Sequence, residues 1–277
     1  MRTFLDLIYD QKLKEIEKRK EKISESVLRK KVEDSIFLPE FKKQLIRKSS
    51  DGISFVLEVK CKSPGRKNVD HLDAEKIVCD YESGGAKAIS VITDEYWFGG
   101  SFETLEKVSR ATNLPLLHKE FIISPYQMLE GRIRGASAAL ILAYYFHEPG
   151  LSQIISEAKK IGLDPVVECS LEEELKKVIS VNPDILMINN RPIAKIPEDP
   201  TQEYDNGSVD VTLSWWEKYP DLRSWKNQPG KLLISASCIN TFEHIQSLSR
   251  IPCDAVLIGN SVMKASDRLA FLNSLRK

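Results

Sequence analysis

Eight short apolar runs, spaced by stretches long enough for a helix with its loops and carrying polar residues at one end, predict an α/β chain. Its expected form is a closed (β/α)8 TIM barrel with an N-terminal helical extension. The runs are SFVLEVK (54–60), AKAISVIT (86–93), PLLHKE (115–120), AALILA (138–143), DPVVECS (164–170), DILMINN (184–190), KLLISAS (231–237) and DAVLIGN (254–260). Roughly 20 to 30 residues separate most of them, enough for a loop, a crossover helix and a return turn, so neighbouring runs form parallel βαβ units. Eight units in succession suit a closed barrel, whereas a doubly wound sheet more often stops at about five to seven strands.

Taken in order, the chain opens with Leu5, Ile8, Tyr9, Leu13 and Ile16 at helical spacing, which predicts an amphipathic helix. A second polar helical stretch runs through about residue 48, so residues 1–48 read as the extension and 1–277 as a single barrel domain. The first run, FVLEVK, ends by placing Glu58 and Lys60 two residues apart, on one face of an extended chain with Val59 on the other. A surface ion pair is the plain reading of that pattern alone. However, the third run stays apolar until Lys119, the fifth until Glu168 and the sixth until Asn189, and the seventh ends in serines. A barrel's functional mouth lies at the C-terminal ends of its strands, so these residues are expected to share a pocket, with Val59 packing outward. Two lysines and two glutamates in a partly dry mouth shift one another's proton affinities, as acid–base catalysis requires. The gap before the seventh run is longer. PEDPTQEYDNGSVDVTLSWWEKYPDLRSWKNQPG reads as an inserted loop before a normal helix, with Trp215, Trp216 and Trp225 in an exposed segment. Gly259 ends the eighth run just ahead of a helical stretch, where backbone N–H groups can receive an anion.

Composition excludes several classes. Lysine plus arginine equals aspartate plus glutamate at 40 each, so no net charge draws the chain to nucleic acid or an anionic membrane. Five cysteines without a CxxC pair or metal-ligand spacing suit a reducing compartment. No apolar run is long enough to cross a bilayer and no leader pattern opens the chain, which predicts a cytoplasmic protein. Oligomeric state is not legible from the sequence, and a monomer is the default expectation.

Several motifs, in order, carry a resemblance to indole-3-glycerol phosphate synthases. EVKCKSPG resembles that family's first-strand signature, SVITDEYWFGGSFETL its second-strand loop, and LPLLHKEFIISPYQM its KDF segment. VVECSLEEEL, MINNRPI, ISASCINTFEHIQSL and LIGNSVM are similar to its later strand ends. The resemblance implies ring closure of an N-arylated amino-deoxyribulose phosphate with loss of carbon dioxide and water, without metal or organic cofactor. Its implied partner is a small phosphorylated amino-sugar substrate. By the same resemblance Lys119 is the general acid at the ketone, Lys60 holds the substrate carboxylate or assists a second proton transfer, and Glu168 and Glu58 handle the dehydration protons. Ser63, Asn189, Arg191 and Ser237 orient the substrate. Phe98, Phe121, Leu140 and Pro64 line a slot for its ring, although the aromatics read equally well as core. Gly259, Asn260 and Cys238 fall at the phosphate.

The sequence departs from the family pattern at the mouth. The family's Glu-Ser-Gly is here Ala236, Ser237, Cys238, which removes a carboxylate and puts a side chain where glycine allows close backbone approach. The family aspartate of KDF is Glu120, Pro192 replaces an acid, and Ser63, Pro64, Gly65 and Arg66 alter the first loop. Three readings therefore stay open: a synthase, a paralogue acting on another amino-ketose phosphate, and a non-catalytic barrel that binds a phosphorylated ligand or a partner.

Overall fold

A computed structural model describes residues 2–35, 38–47, 52–62, 73–196, 199 and 207–276. Its eight strands are β1 (Ser54–Val59), β2 (Ala86–Ile92), β3 (Leu116–Lys119), β4 (Ala138–Leu142), β5 (Asp164–Cys169), β6 (Ile185–Asn189), β7 (Leu232–Ala236) and β8 (Ala255–Ile258). They pair in sequence order, all parallel, and β8 returns to β1, so the sheet is a closed barrel as the spacing predicts. Among the described residues three helices precede β1: α1 (Phe4–Lys22), α2 (Glu25–Glu33) and α3 (Phe41–Leu45). Among the described residues single crossover helices follow β1 to β5, namely α4 (Ala74–Ser83), α5 (Phe102–Ala111), α6 (Pro125–Arg132), α7 (Glu148–Ile161) and α8 (Glu172–Ser180). After β6 come α9 (Asp210–Lys218) and α10 (Pro220–Lys226), after β7 comes α11 (Phe242–Ser249), and after β8 come α12 (Asn260–Lys264) and α13 (Arg268–Ser274). Short polar side chains set several helix starts: Thr3 and Ser124 form capping boxes, and Ser101 and Thr241 accept from the first turn.

Alternation along the strands sorts the apolar residues into two clusters. Phe55, Leu57 and Val59 of β1 join Ile89, Val91, Ile141, Val167 and Ile188 in the layer beneath the helices. Val56, Ala88, Leu117, Leu140, Val166, Met187, Ile234 and Leu257 fill the barrel interior. The register identifies the uppermost interior ring. From Glu58 the pairing runs through Ser90 to Leu117, and two residues further along β3 lies Lys119. Continuing the Leu117–Ala138 register carries Lys119 to Leu140 and Val166, two residues short of Glu168. Glu168 leads through Met187 to Ile234, two short of Ala236, and Ala236 leads through Leu257 to Val56, two short of Glu58. The ring thus closes with the stagger of eight residues expected for eight strands, and its four odd-strand corners are Glu58, Lys119, Glu168 and Ala236.

The extension covers both ends of this interior. Phe41 and Leu45 of α3 join the inner cluster from the strands' N-terminal end, where the Lys42 amide donates to Asp164 at the start of β5 (2.8 Å). Phe4, Leu5 and Ile8 of α1 join it from the opposite end. The Phe4 amide donates to the Ile196 carbonyl (3.1 Å), and the Tyr145 hydroxyl donates to the Leu5 carbonyl (3.1 Å).

Two sequence expectations require correction. The apolar stripe of α1 does not include Tyr9 and Leu13, which are exposed; Lys12 is buried in their stead. The tryptophan segment is not an exposed loop, since Trp215 on α9 and Trp225 on α10 are buried and Trp216 packs on the same cluster. The Trp225 indole N–H donates to the Pro183 carbonyl (2.9 Å), which fastens α10 to the turn before β6. Among the described residues no helix is long and apolar enough to cross a membrane.

Candidate active site

The cavity at the C-terminal ends of the strands is lined by Glu58, Lys60, Phe98, Lys119, Phe121, Leu140, Glu168, Asn189, Arg191, Ser237, Cys238, Gly259 and Asn260. These are all the sequence-predicted site residues that lie within the described chain. Ser63 and Pro64 lie outside the described residues. Phe4, Leu5, Ile196, Asn240 and Ser261 also line the cavity and were not foreseen. Phe4 and Leu5 belong to an apolar stripe visible in the sequence, but which strand ends that stripe meets depends on how α1 docks.

Two ion pairs face the space. Lys60 Nζ lies 2.9 Å from Glu58 Oε1, and Lys119 Nζ lies 3.4 Å from Glu168 Oε2. Asn189 Nδ2 donates to the other Glu168 oxygen (3.0 Å), and its own carbonyl oxygen accepts from the Arg191 amide (3.1 Å). Glu168 is therefore held on both oxygens, one by a cation and one by an amide. Glu58 Oε2 and Arg191 Nε are buried and have no hydrogen-bond partner among the described residues.

The charges tune one another. Burial pushes the Glu58 carboxyl up, but the ammonium groups of Lys60 and Lys119 and the Arg191 guanidinium outweigh it, holding the group below the usual carboxylate range. Burial likewise pulls the Lys119 ammonium down, and Glu168 and Glu58 outweigh that effect, so it stays above the usual lysine range. The mouth therefore offers an ionised carboxylate and a charged ammonium on adjacent corners of one ring. Such a pair can accept one proton while stabilising negative charge that grows on a nearby oxygen.

The other two walls are set by backbone geometry. Gly259 has no room for a side chain, because a Cβ there would come within 2.4 Å of Glu58 Oε1. Its smallness therefore places Glu58, besides leaving space beside the helix that follows. Ser237 and Cys238 both adopt left-handed backbone conformations (φ +70° and +62°), which cost roughly 1 kcal/mol or more each for residues with a Cβ. Asn190, pointing outward from the end of β6, supports this turn by donating to the Ser237 carbonyl and to Ser235 Oγ (3.0 Å each). Thr212 of α9 in turn donates to Asn190 Oδ1 through its amide (3.1 Å) and its hydroxyl (2.8 Å). Ala236, the fourth corner of the ring, is buried and brings only a methyl group.

The family model described as indole-3-glycerol phosphate synthase matches residues 5–275. A protein of Lachnospira eligens named indole-3-glycerol phosphate synthase is 32% identical over 264 residues, covering 94% of this chain and 92% of its own length. Its namesake in Campylobacter jejuni is 30% identical over 273 residues, covering 98% of this chain and 99% of its own. That in Staphylococcus haemolyticus is 33% identical over 227 residues, covering 82% and 81%.

Proposed function

The chain belongs to the indole-3-glycerol phosphate synthase family, and on that premise we propose that it is a decarboxylating lyase of tryptophan biosynthesis. It closes 1-(2-carboxyphenylamino)-1-deoxyribulose 5-phosphate to indole-3-glycerol phosphate. The observation that carries the reading is the ring in which the Lys119 ammonium stands between Glu58 and Glu168.

The aryl carbon bearing the carboxylate is a poor nucleophile, so the ketone oxygen must be protonated as the new carbon–carbon bond forms. Lys119 donates that proton, and its charge is secured by the two glutamates until the oxygen becomes basic. Carbon dioxide then leaves and its bonding electrons restore the ring. Loss of the new hydroxyl as water needs one proton delivered to it and one removed from the neighbouring carbon. Glu58, held ionised, serves as the base, and Glu168, after taking up a proton from solvent, passes it to the leaving hydroxyl. Lys60 holds the substrate carboxylate or assists the second transfer. Phe98 and Phe121, whose rings lie 5.7 Å apart, form the aromatic slot with Leu140, and the family resemblance assigns the same role to Pro64, outside the described residues. Ser63, Asn189, Arg191 and Ser237 orient the ketose, and its phosphate lies against Cys238, Gly259 and Asn260. The chain acts as a single-domain cytoplasmic monomer that needs neither metal nor organic cofactor.

Purified protein incubated with the carboxyphenylamino ketose phosphate should develop indole absorbance and fluorescence. Binding without product would contradict the reading. One observation favours a second, a paralogue working on another amino-ketose phosphate: the methyl corner at Ala236 beside the side chain at Cys238. The double substitution Ala236→Glu with Cys238→Gly separates them. A large gain in rate on the same substrate supports the synthase, and an unchanged low rate supports the paralogue.

A further inference from the structure

We infer that Lys12, on the N-terminal helix and outside the cavity, is a positioning residue that sets both aromatic walls of the site at once; this rests on the proposed ring-closing function. The Lys12 side chain is only 1% exposed, and its ammonium lies 2.7 Å from Asp94 Oδ1 and 3.1 Å from Glu120 Oε1, with the half-buried Glu15 at 2.9 Å. The first two carboxylates are buried, and each holds backbone of one wall. Asp94 Oδ2 accepts from the amides of Trp97 and Phe98 (2.8 Å each), while Glu120 Oε1 accepts from the Phe121 amide (2.7 Å). Glu120 Oε2 accepts from Thr93 Oγ1 (3.2 Å), which ties the two strand ends together. One cation thus bridges the anchors of Phe98 and Phe121, and Glu120 is the chain neighbour of Lys119. Without Lys12 two adjacent buried carboxylates repel each other, and the turns that follow β2 and β3 separate with the aromatic residues they carry while the strands keep their places.

Because the walls grip substrate before and during reaction alike, their displacement weakens uniform binding rather than the chemical step. The test compares Lys12→Met and Lys12→Arg with wild type in steady-state kinetics and in amide hydrogen exchange. Lys12→Met should raise KM about 10-fold or more with kcat changed less than about threefold, and Lys12→Arg should restore KM to within about threefold of wild type. Exchange at the amides of Trp97, Phe98 and Phe121 should quicken at least about 10-fold in Lys12→Met while the strand amides keep their protection. If Lys12→Met fails to fold, Lys12→Met with Glu120→Gln removes the repulsion but not the missing bridge. That double variant should fold, retain the raised KM and show the same local exchange. An unchanged KM, a uniform rise in exchange, or full recovery of KM in the double variant overturns the proposal. Wild-type protein that produces no indole sinks the synthase reading instead, and the exchange data then still decide whether Lys12 holds the walls.

Discussion

At the scale of single residues, the site depends on who is allowed near Glu58. Gly259 sits against that carboxylate with no space for a methyl group, and the contact atom is the tip of a flexible side chain. Gly259→Ala should therefore cost little stability but push Glu58 away from Lys60. We expect kcat/KM to fall about 100-fold with thermal unfolding nearly unchanged. An equally active variant would show that Glu58 need not hold its place. Cys238 gives the opposite case. Its left-handed backbone is one that glycine adopts without strain, so Cys238→Gly should raise the unfolding free energy by roughly 0.5–1 kcal/mol in urea titration, and a loss would contradict that reading. The side chains that face the mouth were readable from sequence because a strand alternates with a period of two. Once Val59 is apolar and outward, Glu58 and Lys60 must point inward. Lys12 was not readable, because a lysine in a helical stripe ordinarily marks the solvated face. Its burial follows from two acids that lie 82 and 108 residues away.

At the scale of elements, strand number and order followed from run length and spacing, since a parallel neighbour can be reached only through a crossover of fixed minimum length. The segment after β6 was harder. Its Pro and Asp content resembles a loop, and Pro220 divides its helical part in two, so neither half shows a long apolar periodicity. What makes it helical is tertiary: Trp215 and Trp225 each find the outer core. Trp225→Phe removes the donor to the Pro183 carbonyl and leaves a gap. Urea unfolding should report a loss of about 2–3 kcal/mol, with kcat unchanged in the folded fraction. A variant as stable as wild type would mean that α10 merely rests on the barrel. The role of α1 was also only half legible, since Phe4 and Leu5 enter the cavity lining through docking that no local pattern encodes.

At the scale of the whole molecule, two buried groups behind β3 give stability a pH dependence of opposing signs. Burial, then Arg19, Arg134 and Lys12, press His118 down to about 3 from an ordinary 6.5. The folded state excludes a proton that the unfolded chain takes up, so this contribution is full above 6.5 and is lost as pH falls toward 3. Burial pushes Glu130 up to about 7 from 4.5 against the pull of Arg19 and Arg134, so its contribution is full below 4.5 and is lost as pH rises through 7. Between 4.5 and 6.5 the two slopes cancel. His118→Gln removes the first. Relative to wild type, the variant should gain about 1.4 kcal/mol per pH unit as pH falls below 6.5, and parallel profiles would contradict a neutral buried His118.

The central claim is that one closed ring of strands brings the Lys119 ammonium to the ketone between two carboxylates. It is tested most directly by single-turnover indole formation in wild type and Lys119→Ala, both saturated with the carboxyphenylamino ketose phosphate. A wild-type burst of indole, slowed about 1,000-fold or more in a variant that still binds substrate, is the expected result. Comparable indole formation in the two proteins would contradict it.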